Sequence, residues 1–172
     1  MSNRDTQQEL VDRIALSVIT AREPVANNRW IDERWRVVGV VAVQADAPRN
    51  IQRTLLRYGP DGEQYLWTGF TLYLRPNEAD SYYYNIIGQN PSLYIYCHND
   101  DNGEPCPRSI TAEYIDAMAH SETGNATFSV PMPPEVYRAI EQYVLAHFVP
   151  EKPKMKRKHE HEAKRAGIRE DE

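Results

Sequence analysis

Lysine is absent from residues 1–150, and all five lysines fall in residues 151–172. The longer part carries 12 Arg against 19 Asp and Glu, a net of −7, whereas residues 151–172 carry a net of +2. An acidic body repels phosphate backbones, so nucleic acid is not the expected partner. Cysteine occurs only at Cys97 and Cys106, which excludes a disulfide framework. No apolar run approaches the roughly 20 residues of a membrane span. The opening residues, MSNRDTQQELVD, also lack the apolar run of a signal peptide. No membrane partner is expected, and the expected setting is the cytoplasm. The eight glycines are scattered. None builds a G-x-G-x-x-G or G-x-x-x-x-G-K-[ST] phosphate loop, and there is no G-x-S-x-G elbow.

Catalytic and metal chemistry find little footing. Cys97, His98 and Cys106 are the nearest approach to a metal cluster, but a zinc site wants about four ligands. Neighbouring residues on a strand point to opposite faces, so Cys97 and His98 would not share an ion. No metal and no cofactor are expected. His98, His120 and His147 have no nucleophile that the sequence can pair with them. The acid pairs Asp32-Glu33, Glu78/Asp80 and Asp100-Asp101 fit turns and a helix start better than a catalytic dyad. No catalytic residue is assigned, and an enzyme is not the expected class.

What is present is organised around residues 65–85, YLWTGFTLYLRPNEADSYYYN. Period-two alternation predicts a strand with Leu66, Thr68, Phe70, Leu72 and Leu74 on one face and Tyr65, Trp67, Thr71 and Tyr73 on the other. Pro76 ends it, and the acids that follow favour a helix start. Further strands are expected at residues 14–21, 35–44, 53–58, 93–98, 109–114 and 126–130. Residues 30–35 read as a short helical turn or an irregular crossing, and 115–121 as a brief helix. Gly59-Pro60-Asp61-Gly62 predicts a hairpin turn, and the turn-forming residues 99–107 predict a second hairpin. Val136, Ile140, Val144 and Phe148, at four-residue spacing after Pro133-Pro134, predict the clearest helix, which Pro150 stops.

The expected fold is mainly β (α+β): about seven mostly antiparallel strands in a curved sheet or small barrel, with one long C-terminal helix packed on it. Residues 1–12 form a polar extension and residues 13–149 a single β-rich domain. Residues 150–172 form a charged tail expected to be disordered.

Eleven tyrosines lie between Tyr58 and Tyr143. Strands favour tyrosine on packing grounds, and interfaces favour it for its large, cheaply ordered area. Aromatic density beyond the needs of one core face marks Trp67, Tyr73, Arg75, Glu78, Tyr82 and Tyr83 as the expected partner-binding surface.

The segments RWRVVGVVAVQ, WTGFTLYLRPNEADSYYYNI, NPSLYIY and VPMPPEVYRAIEQYVLAHF, in that order, resemble an uncharacterised proteobacterial family catalogued as a domain of unknown function. Its genes commonly stand beside those of molybdenum-dependent formate dehydrogenase and its maturation factors, and a Lys/Arg-rich tail is a usual ending. The resemblance covers roughly residues 14–150 and carries over no catalytic residue. It implies a non-catalytic accessory role in maturation, assembly or regulation of a molybdenum formate dehydrogenase. The expected partner is a subunit of that enzyme or a maturation factor. The alternative is a small-ligand β-barrel that holds a pterin or nucleotide among the same aromatics.

Overall fold

The computed structural model describes residues 10–113 and 125–151. Four antiparallel strands form the first sheet: β1 (Arg13–Pro24), β2 (Glu33–Ala42), β3 (Gln52–Gly59) and β4 (Gly62–Tyr73), in the order β2-β1-β4-β3. The second sheet is β6-β5-β7, built from β5 (Ser92–Asn99), β6 (Pro105–Thr111) and β7 (Asn125–Pro131). Between the sheets in sequence, a 3₁₀ turn (Pro76–Glu78) leads into α1 (Ala79–Ile87), and α2 (Pro134–His147) follows β7.

Among the described residues seven strands, all antiparallel, match the expected β-rich class. The expected single curved sheet or barrel is corrected. The two sheets are not closed on each other, and β2 and β3 are left as edges of the first. Pro76 and α1 interrupt the chain between β4 and β5, so β5 starts a second sheet instead of extending the first. The long C-terminal helix is corrected too. Helix α2 has 14 residues, about 21 Å at 1.5 Å per residue. Phe148, the last member of the four-residue repeat, has extended backbone and lies beyond the helix.

Both predicted hairpins form. Gly59 pairs with Gly62 across the first, and β5 pairs with β6 across the second. Strand β6 begins earlier than the sequence implies, taking in Pro105 and Pro107. It is an edge strand, where a residue without an N–H costs little. Residues 30–32 are irregular, and β2 starts at Glu33, taking in Trp35. The helix expected at 115–121 lies wholly outside the described residues, as does most of the tail.

The core lies where the inner faces of the two sheets meet α1 and α2. Leu16 and Val18 of β1, Leu93 and Ile95 of β5, and Val136 and Ile140 of α2 are fully shielded from solvent. Tyrosine hydroxyls tie the helices down. Tyr143 donates to the carbonyl of Leu74 at 3.2 Å, and Tyr137 to that of Ile86 at 3.4 Å. The Asn85 side chain joins α1 to the second sheet by donating to the Ser92 and Ala112 carbonyls, both at 2.8 Å, and accepting from the Ser92 N–H at 3.0 Å. A charged fork bridges the sheets: Arg53 of β3 donates to both Glu104 oxygens, at 2.7 and 3.1 Å. The same guanidinium lies 3.6 Å from the centre of the Tyr65 ring. Burial pulls the Arg53 pKa down, but the hydrogen bonds and charge of Glu104 outweigh it and leave it raised.

One irregularity organises β4. Leu16 pairs with Phe70 and Val18 with Trp67, so Thr68 and Gly69 together stand opposite Ser17. This is a β-bulge, with Gly69 at φ +96°. Here only glycine fits, since a Cβ at Gly69 would lie 2.3 Å from the Asn50 carbonyl oxygen. The bulge resets the alternation, and Trp67, Phe70 and Leu72 all face the core. The face expected for Trp67 is therefore corrected. Its ring is buried, and its indole N–H donates to the Thr20 hydroxyl at 3.0 Å.

Candidate functional site

At the end of β4 the chain must leave the sheet, and Tyr82 sets how it does so. Its ring is 1% exposed. The hydroxyl donates to Glu78 at 2.6 Å and accepts the backbone N–H of Arg75 at 3.1 Å. Burial, then the bond to the Glu78 carboxylate, push the Tyr82 pKa well up, so the hydroxyl keeps its proton. Tyr82 is thus a strut that fixes Arg75 and Glu78 at the corner between β4 and α1.

That corner forms one wall of an open groove of about 450 Å³ between β4 and β6. Tyr73, Arg75 and Glu78 line it from one side, Tyr96 and Arg108 from the second sheet, and Arg49 from the segment before β3. Arg75 reaches Glu78 at 3.4 Å. Arg49 and Arg108 make no ion pair among the described residues. Three arginines against one glutamate give the groove a positive field on a chain whose net charge is −5.

The six residues expected to form a partner surface therefore divide. Tyr73, Arg75 and Glu78 meet in the groove, with Tyr73 53% exposed. Trp67 and Tyr82 belong to the core, so no partner reaches their rings without unfolding the corner. Tyr83 points elsewhere: it stacks on Phe148 with ring centres 4.4 Å apart, in a shallow depression at the ends of α1 and α2. Sequence reasoning missed Arg49 and Arg108. Their one local signal is an arginine directly after a proline in a lysine-free body, Pro48-Arg49 and Pro107-Arg108. Nothing local announces that β4 and β6 will meet.

Chemically, the groove is built to hold negative charge. Its carboxylate, Glu78, is occupied by Tyr82 and Arg75. Among the described residues no group of three or more His, Cys, Asp or Glu side chains could hold a metal ion. Cys97 is buried, which lifts its thiol pKa to about 12, and Cys106 is also raised, first by burial and then by Asp100 and Glu104. Neither cysteine is a ready nucleophile.

A family model described as "Protein of unknown function (DUF3305)" matches residues 15–158. The chain belongs to the DUF3305 family. The match spans both sheets and both helices and runs past Pro150 into the basic stretch. Neither the curated proteins nor the solved structures include a match to this DUF3305 chain. No helix among the described residues is long and apolar enough to cross a membrane.

Proposed function

We propose that this DUF3305 chain is a non-catalytic accessory protein that docks an acidic segment of a partner protein in the groove between β4 and β6. The observation that carries this reading is the convergence of Arg49, Arg75 and Arg108 on one open groove of an otherwise acidic chain. Arginine is well suited to such a role, because its planar fork binds carboxylates through two parallel hydrogen bonds. Exposed Tyr73 adds amphipathic contact area beside the charges. The partner in this proposal is the one implied by the resemblance: a subunit of a molybdenum-dependent formate dehydrogenase or one of its maturation factors. The setting is the cytoplasm, in keeping with two free thiols. A pterin or nucleotide held in a barrel is the weaker reading, since the two sheets form no closed lumen.

The test is affinity capture with the full-length protein from cells grown on formate. Recovery of formate dehydrogenase or its maturation factors, lost in the Arg75→Glu/Arg108→Glu variant, is the expected result. Both residues are exposed, so the reversal leaves the fold intact. Equal recovery by wild type and variant would move the contact elsewhere, and a protein that elutes alone would remove the accessory reading.

A further inference from the structure

A second recess lies on the other side of the Gly69 bulge. It is a cavity of about 370 Å³, floored by β1 and β4 and roofed by the segment that joins β2 to β3. Arg13, Ala15 and Ser17 occupy alternate positions of β1 along its floor, a span of about 13 Å in an extended strand. Val43 and Ala47 supply apolar wall, and exposed Arg49 also lines the cavity. Its lining carries two kinds of polar group: the guanidiniums of Arg13 and Arg49, and Ser17, 1% exposed, whose hydroxyl has no hydrogen-bond partner among the described residues. A buried hydroxyl left unpaired costs stability, and a native fold keeps few of them. Ser17 sits opposite the bulge, where the ladder is interrupted.

We propose that this cavity binds a small organic anion with an apolar body and a second polar group at its far end. The anionic head lies at Arg13 and Arg49, the body on Ala15 and Val43, and the second polar group accepts a hydrogen bond from the Ser17 hydroxyl. The volume, near the lower end of ligand pockets, limits the guest to a small molecule. Bulge and loop are joined by the close approach of Asn50 to Gly69, so the roof is held in place before anything binds.

The cavity shares Arg49 with the docking groove, but Arg13 and Ser17 line the cavity and not the groove, so Ser17→Ala tests the cavity separately. The proposal is tested by titrating the full-length protein with 4-hydroxybenzoate, benzoate, 4-hydroxybenzyl alcohol and inorganic phosphate, followed by two-dimensional amide NMR. Saturable shifts centred on Ser17, Thr68 and Thr71 are expected. 4-Hydroxybenzoate should bind about fivefold tighter than benzoate, the ratio one neutral hydrogen bond supplies. In Ser17→Ala that ratio should fall to near one, while the melting temperature does not drop. Arg49→Gln, on an exposed segment that leaves the fold unaffected, should weaken both acids by about tenfold. Lack of saturation in the millimolar range overturns the proposal. So does a ratio that survives Ser17→Ala, or equal binding by the neutral alcohol or by phosphate alone.

Discussion

Replacing Tyr82 with phenylalanine isolates the strut at the β4–α1 corner, because the ring and its edge-on contact with Tyr143 stay in place. Two hydrogen bonds are lost. The bond to Glu78 is short, at 2.6 Å, and has an ionised acceptor, so it stabilises by about 1.5–3 kcal/mol. Its loss falls at the low end of that range, since Glu78 keeps Arg75 at 3.4 Å and its side chain is 18% exposed to water. The Arg75 N–H, bonded to the same hydroxyl at 3.1 Å, adds about 1 kcal/mol when orphaned. The expected destabilisation is about 2.5 kcal/mol, which lowers Tm by about 5–10 °C for a chain of this size. Thermal melts followed by circular dichroism read it directly. Tyr73→Phe, at an exposed position, is the control and should stay within about 0.5 kcal/mol. A double-mutant cycle with Glu78→Gln should show coupling of about 1 kcal/mol. A Tyr82→Phe protein that melts within about 2 °C of wild type would refute the strut, since less than 1 kcal/mol would then rest on the hydroxyl.

Gly69→Ala places a Cβ 2.3 Å from a backbone oxygen at a residue with φ +96°. It should cost at least about 2 kcal/mol in urea unfolding. Gly39→Ala, where a Cβ meets nothing within 4 Å, should be close to neutral; equal stability of the two variants would sink the bulge argument. Acid should weaken the first sheet through two carboxylates. Glu23 is held below the usual range chiefly by the hydrogen bond from Arg36, which burial opposes and Arg34 reinforces. Glu63 is held down chiefly by the Tyr65 hydroxyl, which burial again opposes and Arg22 reinforces. Folded values below unfolded ones mean that this stabilisation is complete above the ordinary glutamate value of about 4.3 and is lost as pH falls through the folded values. Tm should therefore drop on acidification in wild type and drop less in Glu23→Gln/Glu63→Gln; parallel curves would exclude these two groups as the cause. Iodoacetamide at neutral pH should leave Cys97 unmodified in the native protein, with a thiol pKa of about 12, and mass spectrometry of the intact chain should find both cysteines labelled only after denaturation.

Strands and hairpins were legible because their signals are local. Alternation marks a strand and Gly-Pro-Asp-Gly marks a turn whatever lies across the core. The site was legible only in part, for three physical reasons. One residue of bulge at Gly69 inverts the phase of a strand, so alternation carried through it put Trp67 on the wrong face. Three adjacent tyrosines on a helix point about 100° apart, so Tyr82, Tyr83 and Tyr84 meet three environments: fully buried, stacked on Phe148, and 67% exposed. The third reason is distance in sequence. Arg49 and Arg108 reach the groove only because β4 and β6 pack together, a contact between segments that share no periodicity.

The Gly69 bulge links these findings. A regular ladder there would keep Trp67 and Phe70 on opposite faces of β4, and one of them would lose its burial. The bulge puts both rings in the core, which stabilises by about 1.5–3 kcal/mol for each large side chain buried. It also leaves Ser17 facing an interrupted ladder and lets the Asn50 backbone close over Gly69. Thr71, just beyond it, lines both the docking groove and the cavity, and Arg49 is shared by the two. A guest that draws Arg49 toward the cavity would take a positive charge from the groove. An acidic segment in the groove would likewise compete for that charge. If both sites are used, linkage requires each occupant to weaken the other by the same factor. Arg49→Gln should abolish that coupling, whereas Arg108→Gln, which touches the groove alone, should preserve it.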